Sequence, residues 1–384
     1  MPDPNALPTE RVDERDTVFA RMERRPGTPA YEDMYARRPE LKAVDDRLRA
    51  MPPLLDPRGR HFDEALAAET ASFFEAIERH ASDEELVATW AGKLAEAGDP
   101  ATSAATVKAM LFELGAVAAG CTGLEPAFVY THKGRFDADY GHPVTLDHEH
   151  AVVFLVEMDH DRMQEAPRAP TLLESARQYW RAAVIARTAA AALRRAGQEA
   201  KAHYDAHYDV ILPPLAARAG LGELGRNNIL VADRYGSRVR IGAVTTNLPV
   251  THDAPVALGV EAFCHLCAKC ADLCPSNALS KGDPELVRGT ERWPTHVERC
   301  HAWWRQVGTD CGICMAACPF SHRAGGIHRL VRAVVRRAPW LNRLMLRLDD
   351  LFYGRTRWQS DAAAWSGPAP VSGAGSPPPE GRGS

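Results

Sequence analysis

The sequence predicts an α+β fold in two successive parts, a larger helix-and-strand domain and a small cysteine-rich domain. Three observations predict it. Helical patterns alternate with short apolar strand patterns over residues 61–246. The run His150-Ala-Val-Val-Phe-Leu-Val156 is β-branched and apolar, as a strand buried on both faces is. Eight of the nine cysteines fall between Cys264 and Cys318.

At 384 residues the chain is too long for one small core and suits two domains with tails. An apolar content of 45% lets most of it bury a core, and a net charge of -4 gives no hint of nucleic-acid binding. No stretch approaches the roughly 18 apolar residues of a membrane span. The opening MPDPNALPTERVDERD has neither a signal-peptide pattern nor a twin-arginine start, so a cytoplasmic protein is expected. The expected divisions are an N-terminal arm and helical region (1–100), a catalytic domain (101–250), a cysteine domain (251–325), an arginine-rich helical cover (326–360) and a disordered tail (361–384).

Residues 1–60 are rich in proline, arginine and acid and should form an extended arm or loose helices. Residues 61–97 read as helical, with Ser82 and Glu85 making a capping box. Asp99-Pro100 stops that element, and Thr102 to Leu114 reads as the next helix. Ala116 to Cys121 reads as a small-residue strand. Residues 172–196 are alanine-rich with helical spacing. Asn228–Val231 and Val239–Val244 read as strands around a turn at Asp233–Ser237. Residues 249–262 link to the cysteine domain. Residues 322–358 carry nine arginines and two acids among Leu, Val and Trp. The segment reads as a basic helical cover or as a surface for an acidic partner. The tail from about Ser366 is Gly/Pro/Ser-rich and should be disordered.

Cys264-x2-Cys267-x2-Cys270-x3-Cys274-Pro275 wraps three thiolates in one tight loop and sends the fourth elsewhere, the pattern of a two-cluster ferredoxin. The second run, Cys311-x2-Cys314-x3-Cys318-Pro319, has Gly308 where a cysteine is expected, and Cys300 is the candidate replacement. By the ferredoxin pattern, one [4Fe-4S] cluster takes Cys264, Cys267, Cys270 and Cys318, and the other takes Cys274, Cys300, Cys311 and Cys314. Structural zinc favours separated C-x2-C pairs with a long spacer, which this spacing does not match. Lone Cys121 reads as a small buried residue.

Gly220-Leu-Gly-Glu-Leu-Gly225 fits G-x-G-x-x-G, but a helix pattern precedes it and a strand pattern follows, the reverse of a dinucleotide-binding loop. Two readings stay open. One is a helix cap and sharp turn. The other is close approach to a bulky cofactor by Gly220, Gly222 and Gly225, with Arg226, Asn227 and Asn228 as donors.

Taken in order, Ala219-Gly-Leu-Gly-Glu-Leu-Gly-Arg-Asn-Asn228, Arg238-Val-Arg-Ile-Gly-Ala-Val-Thr-Thr-Asn-Leu-Pro249, the Phe263–Pro275 cysteine run and the Cys300/Cys311 set resemble the catalytic subunit of the corrinoid-dependent reductive dehalogenases. They also look like the related epoxyqueuosine reductases. Tyr130-Thr-His132, Leu146–Val153, Val156-Glu-Met158 and Leu348–Gly354 extend the resemblance over about residues 105–355. The resemblance implies a nitroreductase-like corrinoid-binding domain followed by a bacterial-ferredoxin-like two-cluster domain. It implies cobalamin as a cofactor, electrons passing through two [4Fe-4S] clusters to it, and reductive cleavage of a carbon–halogen bond in a small-molecule substrate. No fused reductase module follows the clusters, so an external ferredoxin or flavodoxin is expected as donor.

By the same resemblance Tyr179 is the candidate proton donor. A phenol needs a nearby cation for that role. The expected position of the basic partner falls on Ala243, while Arg238 and Arg240 are expected on the opposite strand face. The epoxyqueuosine reductases use an aspartate, for which Asp205 and Asp209 are candidates, and no nucleic acid is expected unless that alternative holds. His203 and His207, four apart, are read as a metal pair or as pocket or surface residues. A further alternative is an electron-transfer protein with clusters and no corrinoid.

Overall fold

The computed structural model describes residues 8–79 and 83–355. Ser82 and the 361–384 tail lie outside the described residues. The chain opens with three short helices, α1 (Val18–Met22), α2 (Pro29–Arg37) and α3 (Pro39–Ala50). They are better ordered than an extended arm, because Tyr31, Met34, Tyr35, Leu41 and Val44 bury one another in a small core of their own. Helices α4 (Glu64–Arg79), α5 (Glu84–Ala95) and α6 (Pro100–Glu113) follow. The cap of α5 is Asp83, whose carboxylate accepts from Leu86 N at 2.9 Å. Asp99 caps α6 in the same way, accepting from Ala101 N and Thr102 N at 2.9 and 3.0 Å, with Pro100 at the first helical position.

The central sheet is four-stranded and antiparallel. Strands β1 (Ala118–Gly123), β2 (His150–Glu157), β3 (Ala200–His203) and β6 (Val239–Thr246) stand in the order β1-β2-β6-β3. Between β2 and β3 run a short helix α7 (His160–Gln164) and the long helix α8 (Ala169–Arg195). Val152, Phe154, Val156 and Val244 point to one face, where they pack on α8 through Ala182, Ala183, Ala186, Ala189 and Ala190. Those small residues let helix and sheet approach closely. Ala151, Val153, Leu155 and Ala243 point to the other face, covered by α9 (Leu212–Arg218). Strand β2 is therefore apolar on both sides, as its sequence predicts.

The segment 228–231 does not pair with 239–244. Leu230–Val231 (β5) folds back on Glu223–Leu224 (β4) instead, since Gly225 N bonds Ile229 O at 3.0 Å and closes the turn within the glycine loop. Beyond β6 come α10 (Val260–Cys267), α11 (Lys269–Asp272), the hairpin β7 (Glu285–Val287) and β8 (Thr290–Arg292), α12 (Val297–Val307) and α13 (Ile313–Ala316). Two helices, α14 (Gly326–Arg337) and α15 (Asn342–Tyr353), lie over this part. No described helix is long and apolar enough to cross a membrane.

Gly308, at the position of the missing cysteine, ends α12 at φ +79, where only glycine sits without strain. A Cβ there would lie 3.0 Å from Gly59 Cα. The 55–61 segment runs along this turn, with Leu55 N donating to Gly308 O at 3.2 Å and His61 N to Val307 O at 2.9 Å. The N-terminal segment occupies the space that a ligand side chain at 308 would need.

Candidate active site

Helix α8 and strand β6 build the centre of the site. Ser175 and Tyr179 are four residues apart and so lie on one face of α8. Arg240 shares a face of β6 with Gly242 and Val244, the face turned to α8. The Arg240 guanidinium carbon lies 4.3 Å from the centre of the Tyr179 ring. Its Nη2 donates to Ser175 Oγ at 2.6 Å and to Asp310 Oδ2 at 3.1 Å. Ser175 also donates to Asp310 Oδ2. Asp310 precedes Cys311, so one guanidinium connects the tyrosine with a cysteine loop.

Ala243 faces α9, and Arg240 stands on the opposite face of the strand beside Tyr179. The correction has a simple cause: alternation assigns Arg240 and Ala243 to different faces, but only the packing says which face α8 and Tyr179 occupy. Arg238 is committed elsewhere, donating to Ser321 O and Met158 O, each at 2.6 Å, and pairing with Glu157 at 3.2 Å.

Tyr179, Asp205, Tyr208 and Arg240 are surrounded by protein, yet each keeps some accessible surface. Burial raises the Tyr179 phenol, and the Arg240 charge opposes that rise. Burial raises the Asp205 carboxyl, opposed by Arg135 and Arg240. Tyr208, stacked on Tyr130 at 5.8 Å, is pushed up to about 12 by burial. Arg240 Nε and Asp310 Oδ1 are buried without a hydrogen-bond partner, the condition expected where a ligand belongs.

Asp209 lies apart from this group. It pairs with Lys133 and Lys201, which hold its carboxyl below the usual range although burial acts the other way. The two histidines do not converge on a metal. His203 Nε2 meets Thr245 Oγ1 at 2.8 Å and its Nδ1 accepts from Asp209 N at 3.2 Å, whereas His207 pairs with Glu78 at 2.7 Å.

The glycine loop ties the two parts of the chain together. Gly220 has φ +76 and ends α9, and a Cβ on it would meet Ala254 O at 2.6 Å. Gly222 and Gly225 lie in the β4–β5 hairpin that follows. The side-chain donors expected for a cofactor instead hold carbonyls of the cysteine part. Arg226 donates to Cys264 O at 3.0 Å and to Ser280 O and Gly282 O, each at 2.9 Å. Asn227 donates to Cys314 O at 3.4 Å, and Asn228 to Trp293 O at 2.7 Å and Thr295 Oγ1 at 2.8 Å. No sequence signal separates these two uses, because both need donors on a tight loop.

The eight cysteines are free thiols in two sets. Cys264, Cys267 and Cys270 each feel the charge of Cys318. Cys300 and Cys311 each feel Cys314 and Cys274. Cys270 also feels Cys314, so the sets are neighbours. Burial raises the thiols of Cys264, Cys267, Cys270, Cys300, Cys311, Cys314 and Cys318, with Cys264 and Cys314 pushed up to about 12. These thiols are the donors that an iron–sulfur cluster takes, and bound iron would hold them as thiolates. Ala278 N donates to Cys274 Sγ at 3.3 Å. Cys121 is fully buried in β1, as a small apolar residue would be.

The model of a 4Fe-4S dicluster domain matches residues 263–322. The tetrachloroethene reductive dehalogenase of Desulfitobacterium hafniense is 31% identical over 236 residues, 58% of this chain and 42% of that protein. An epoxyqueuosine reductase of Lactococcus garvieae is 31% identical over 175 residues, covering 41% of this chain and 45% of its own length. The solved catabolic reductive dehalogenase NpRdhA, in complex with 3-bromo-4-hydroxybenzoic acid, superposes with a TM-score of 0.72 at 27% identity, over 92% of this chain and 48% of that one. The chain thus spans under half the length of these proteins, and within that span its fold is the corrinoid-binding reductive dehalogenase fold followed by a dicluster domain.

Proposed function

We propose that this chain is a corrinoid iron–sulfur reductase that removes halide from a small organohalide, with two [4Fe-4S] clusters and cobalamin as cofactors. The observation that carries the reading is the Arg240–Tyr179 stack at 4.3 Å, beside the loop of Cys311. We assign residues 101–250 to cobalamin binding and 251–325 to the clusters, with 326–360 as a cover. Cys264, Cys267, Cys270 and Cys318 would hold one cluster, and Cys274, Cys300, Cys311 and Cys314 the other. The 220–228 loop would bring backbone close to the corrinoid while Arg226, Asn227 and Asn228 fix the cluster part against it. Bound cobalamin and the clusters supply the two electrons of the reaction.

The chain's own residues supply the rest. Replacing a carbon–halogen bond by a carbon–hydrogen bond takes two electrons and one proton and releases halide. Tyr179 gives that proton from its phenol, and Arg240 stabilises the phenolate left behind. Asp310 holds Arg240 in place, and Ser175 fixes Asp310. Asp205 and Tyr208 lie close to Tyr179 and help keep water from it. An external reductant of the ferredoxin or flavodoxin class fits the site's need for electrons.

A second reading is supported by Asp205, a carboxyl raised by burial beside the same tyrosine. An aspartate acid is what an epoxyqueuosine-type reduction would use. The two are separated by assaying anaerobically reconstituted protein for halide release from organohalides and for reduction of epoxyqueuosine-tRNA. Absence of bound cobalt in iron-loaded protein would refute both.

A further inference from the structure

Resting on the reading of the cysteine part as a two-cluster relay, we infer that the arginine-lined recess between α14 and the Asp233–Ser237 turn docks an acidic electron-carrier protein. Electrons would then enter at the cluster held by Cys318. The recess encloses about 550 Å³ and is walled by Arg234, Arg329, Arg332, Arg336 and Arg337 against a single carboxylate, Asp233. Arg234, Arg329, Arg336 and Arg337 are exposed and make no ion pair with any described residue. Their charge is available to a partner.

The floor of the recess bonds the backbone that follows Cys318. Arg332 is buried and donates to Phe320 O at 2.9 Å and His322 O at 3.2 Å. Phe320 is two residues beyond Cys318, and its ring meets Phe263, the neighbour of Cys264, at 5.3 Å. Val335 of α14 packs in the same cluster of side chains as Phe263, Cys267 and Phe320. One layer of backbone and aromatic rings therefore lies between the basic surface and three ligands of one cluster. A site this close to a redox centre suits electron entry.

The shape favours a protein over a small ion. Arg329, Arg336 and Arg337 follow helical spacing along two turns of α14, which spreads charge over a surface. Ile327, Leu330 and Trp340, exposed at 70%, 64% and 80%, stand beside the arginines. Arginine with aromatic and aliphatic side chains is the usual make-up of a protein interface. Complementary charge would steer an acidic carrier and make its association salt-dependent.

The test uses the iron-loaded protein and reduced flavodoxin, with stopped-flow bleaching of the cluster absorbance and a direct measurement of Kd. Charge reversal at Arg329→Glu, Arg336→Glu and Arg337→Glu should lower the flavodoxin-driven rate and the affinity at least tenfold at low salt. Dithionite reduction and iron content should stay unchanged, as should the behaviour of Arg79→Glu on remote α4. If the triple variant does not fold, Arg336→Gln with Arg337→Gln and the salt dependence of the native protein serve instead. Unchanged rates in these variants, or a rate insensitive to salt, would overturn the inference. So would patch-dependent binding of phosphatidylglycerol vesicles with no carrier binding, which would make this a membrane face. Carrier-driven reduction in a protein that binds no cobalt would leave the docking site standing and remove the corrinoid reading alone.

Discussion

Asp310 Oδ2 accepts from Arg240 Nη2 at 3.1 Å while the same guanidinium lies over the Tyr179 ring. Asp310 precedes Cys311, so the proposed acid and the Cys311 loop share a single charged contact.

Tyr179→Phe keeps the ring and removes the proton. Loss of a positioned general acid costs about 10²–10⁴-fold. Halide release should fall by that order with iron and cobalt content unchanged. Full activity in the variant would remove Tyr179 from the mechanism.

Arg240→Met removes the cation that opposes the burial-driven rise of the Tyr179 phenol. The phenol should become a weaker acid, and any alkaline limb of the pH–rate profile should move to higher pH. The change also leaves Asp310 buried without its cation, which costs about 3–5 kcal/mol of stability. Arg240→Lys should retain part of the rate, because it keeps the charge and loses the planar stack. Pre-steady-state rates across pH, with thermal unfolding, separate the two effects.

Cys300→Ser should abolish one cluster and leave the other, so iron falls from about eight to about four per chain. Cys121→Ser should leave iron content intact. Metal analysis with electron paramagnetic resonance of the reduced protein checks both.

Gly308→Ala should not restore a ligand and should destabilise. Alanine at φ +79 costs about 1–2 kcal/mol, and its Cβ presses on the Gly59 backbone at 3.0 Å. A chemical denaturation midpoint unchanged from the native protein would show that the 55–61 segment is not seated on this turn.

His203 is buried and its pKa is pulled down to about 3 by desolvation. The unfolded chain therefore binds a proton below about 6.5 that the folded chain does not. Its contribution to stability is full above that pH and is lost as pH falls from about 6.5 toward about 3. The slope is up to about 1.4 kcal/mol per pH unit. His203→Gln should flatten this part of the stability–pH curve, measured by urea unfolding at stepped pH.

Several elements were legible because their signals are local. The 150–156 run reads as a doubly buried strand and is one, since continuous apolar residues leave no other exposure pattern. Asp99-Pro100 reads as the stop of one helical element with the next starting at Thr102, and in the structure Asp99 caps α6, which starts at Pro100. Asp83 caps α5, one residue on from the expected Ser82, which lies outside the described residues. Pairing was less legible. Leu230–Val231 has strand character, but its partner depends on the turn that Gly225 and Asn228 make together.

The amino-acid sequence by itself determined the cysteine inventory and the order of an α+β part before a cysteine-rich part. These depend on spacing along the chain and on residue chemistry. Tertiary structure alone decided that Arg240, and no residue at 243, stands beside Tyr179. It likewise decided that Gly308 is filled by the 55–61 segment, and that Arg226, Asn227 and Asn228 grip the cysteine part. Each of these joins segments that are tens to hundreds of residues apart. Alternation along a strand fixes which residues share a face, and only the packed helix on that face says what the face is for.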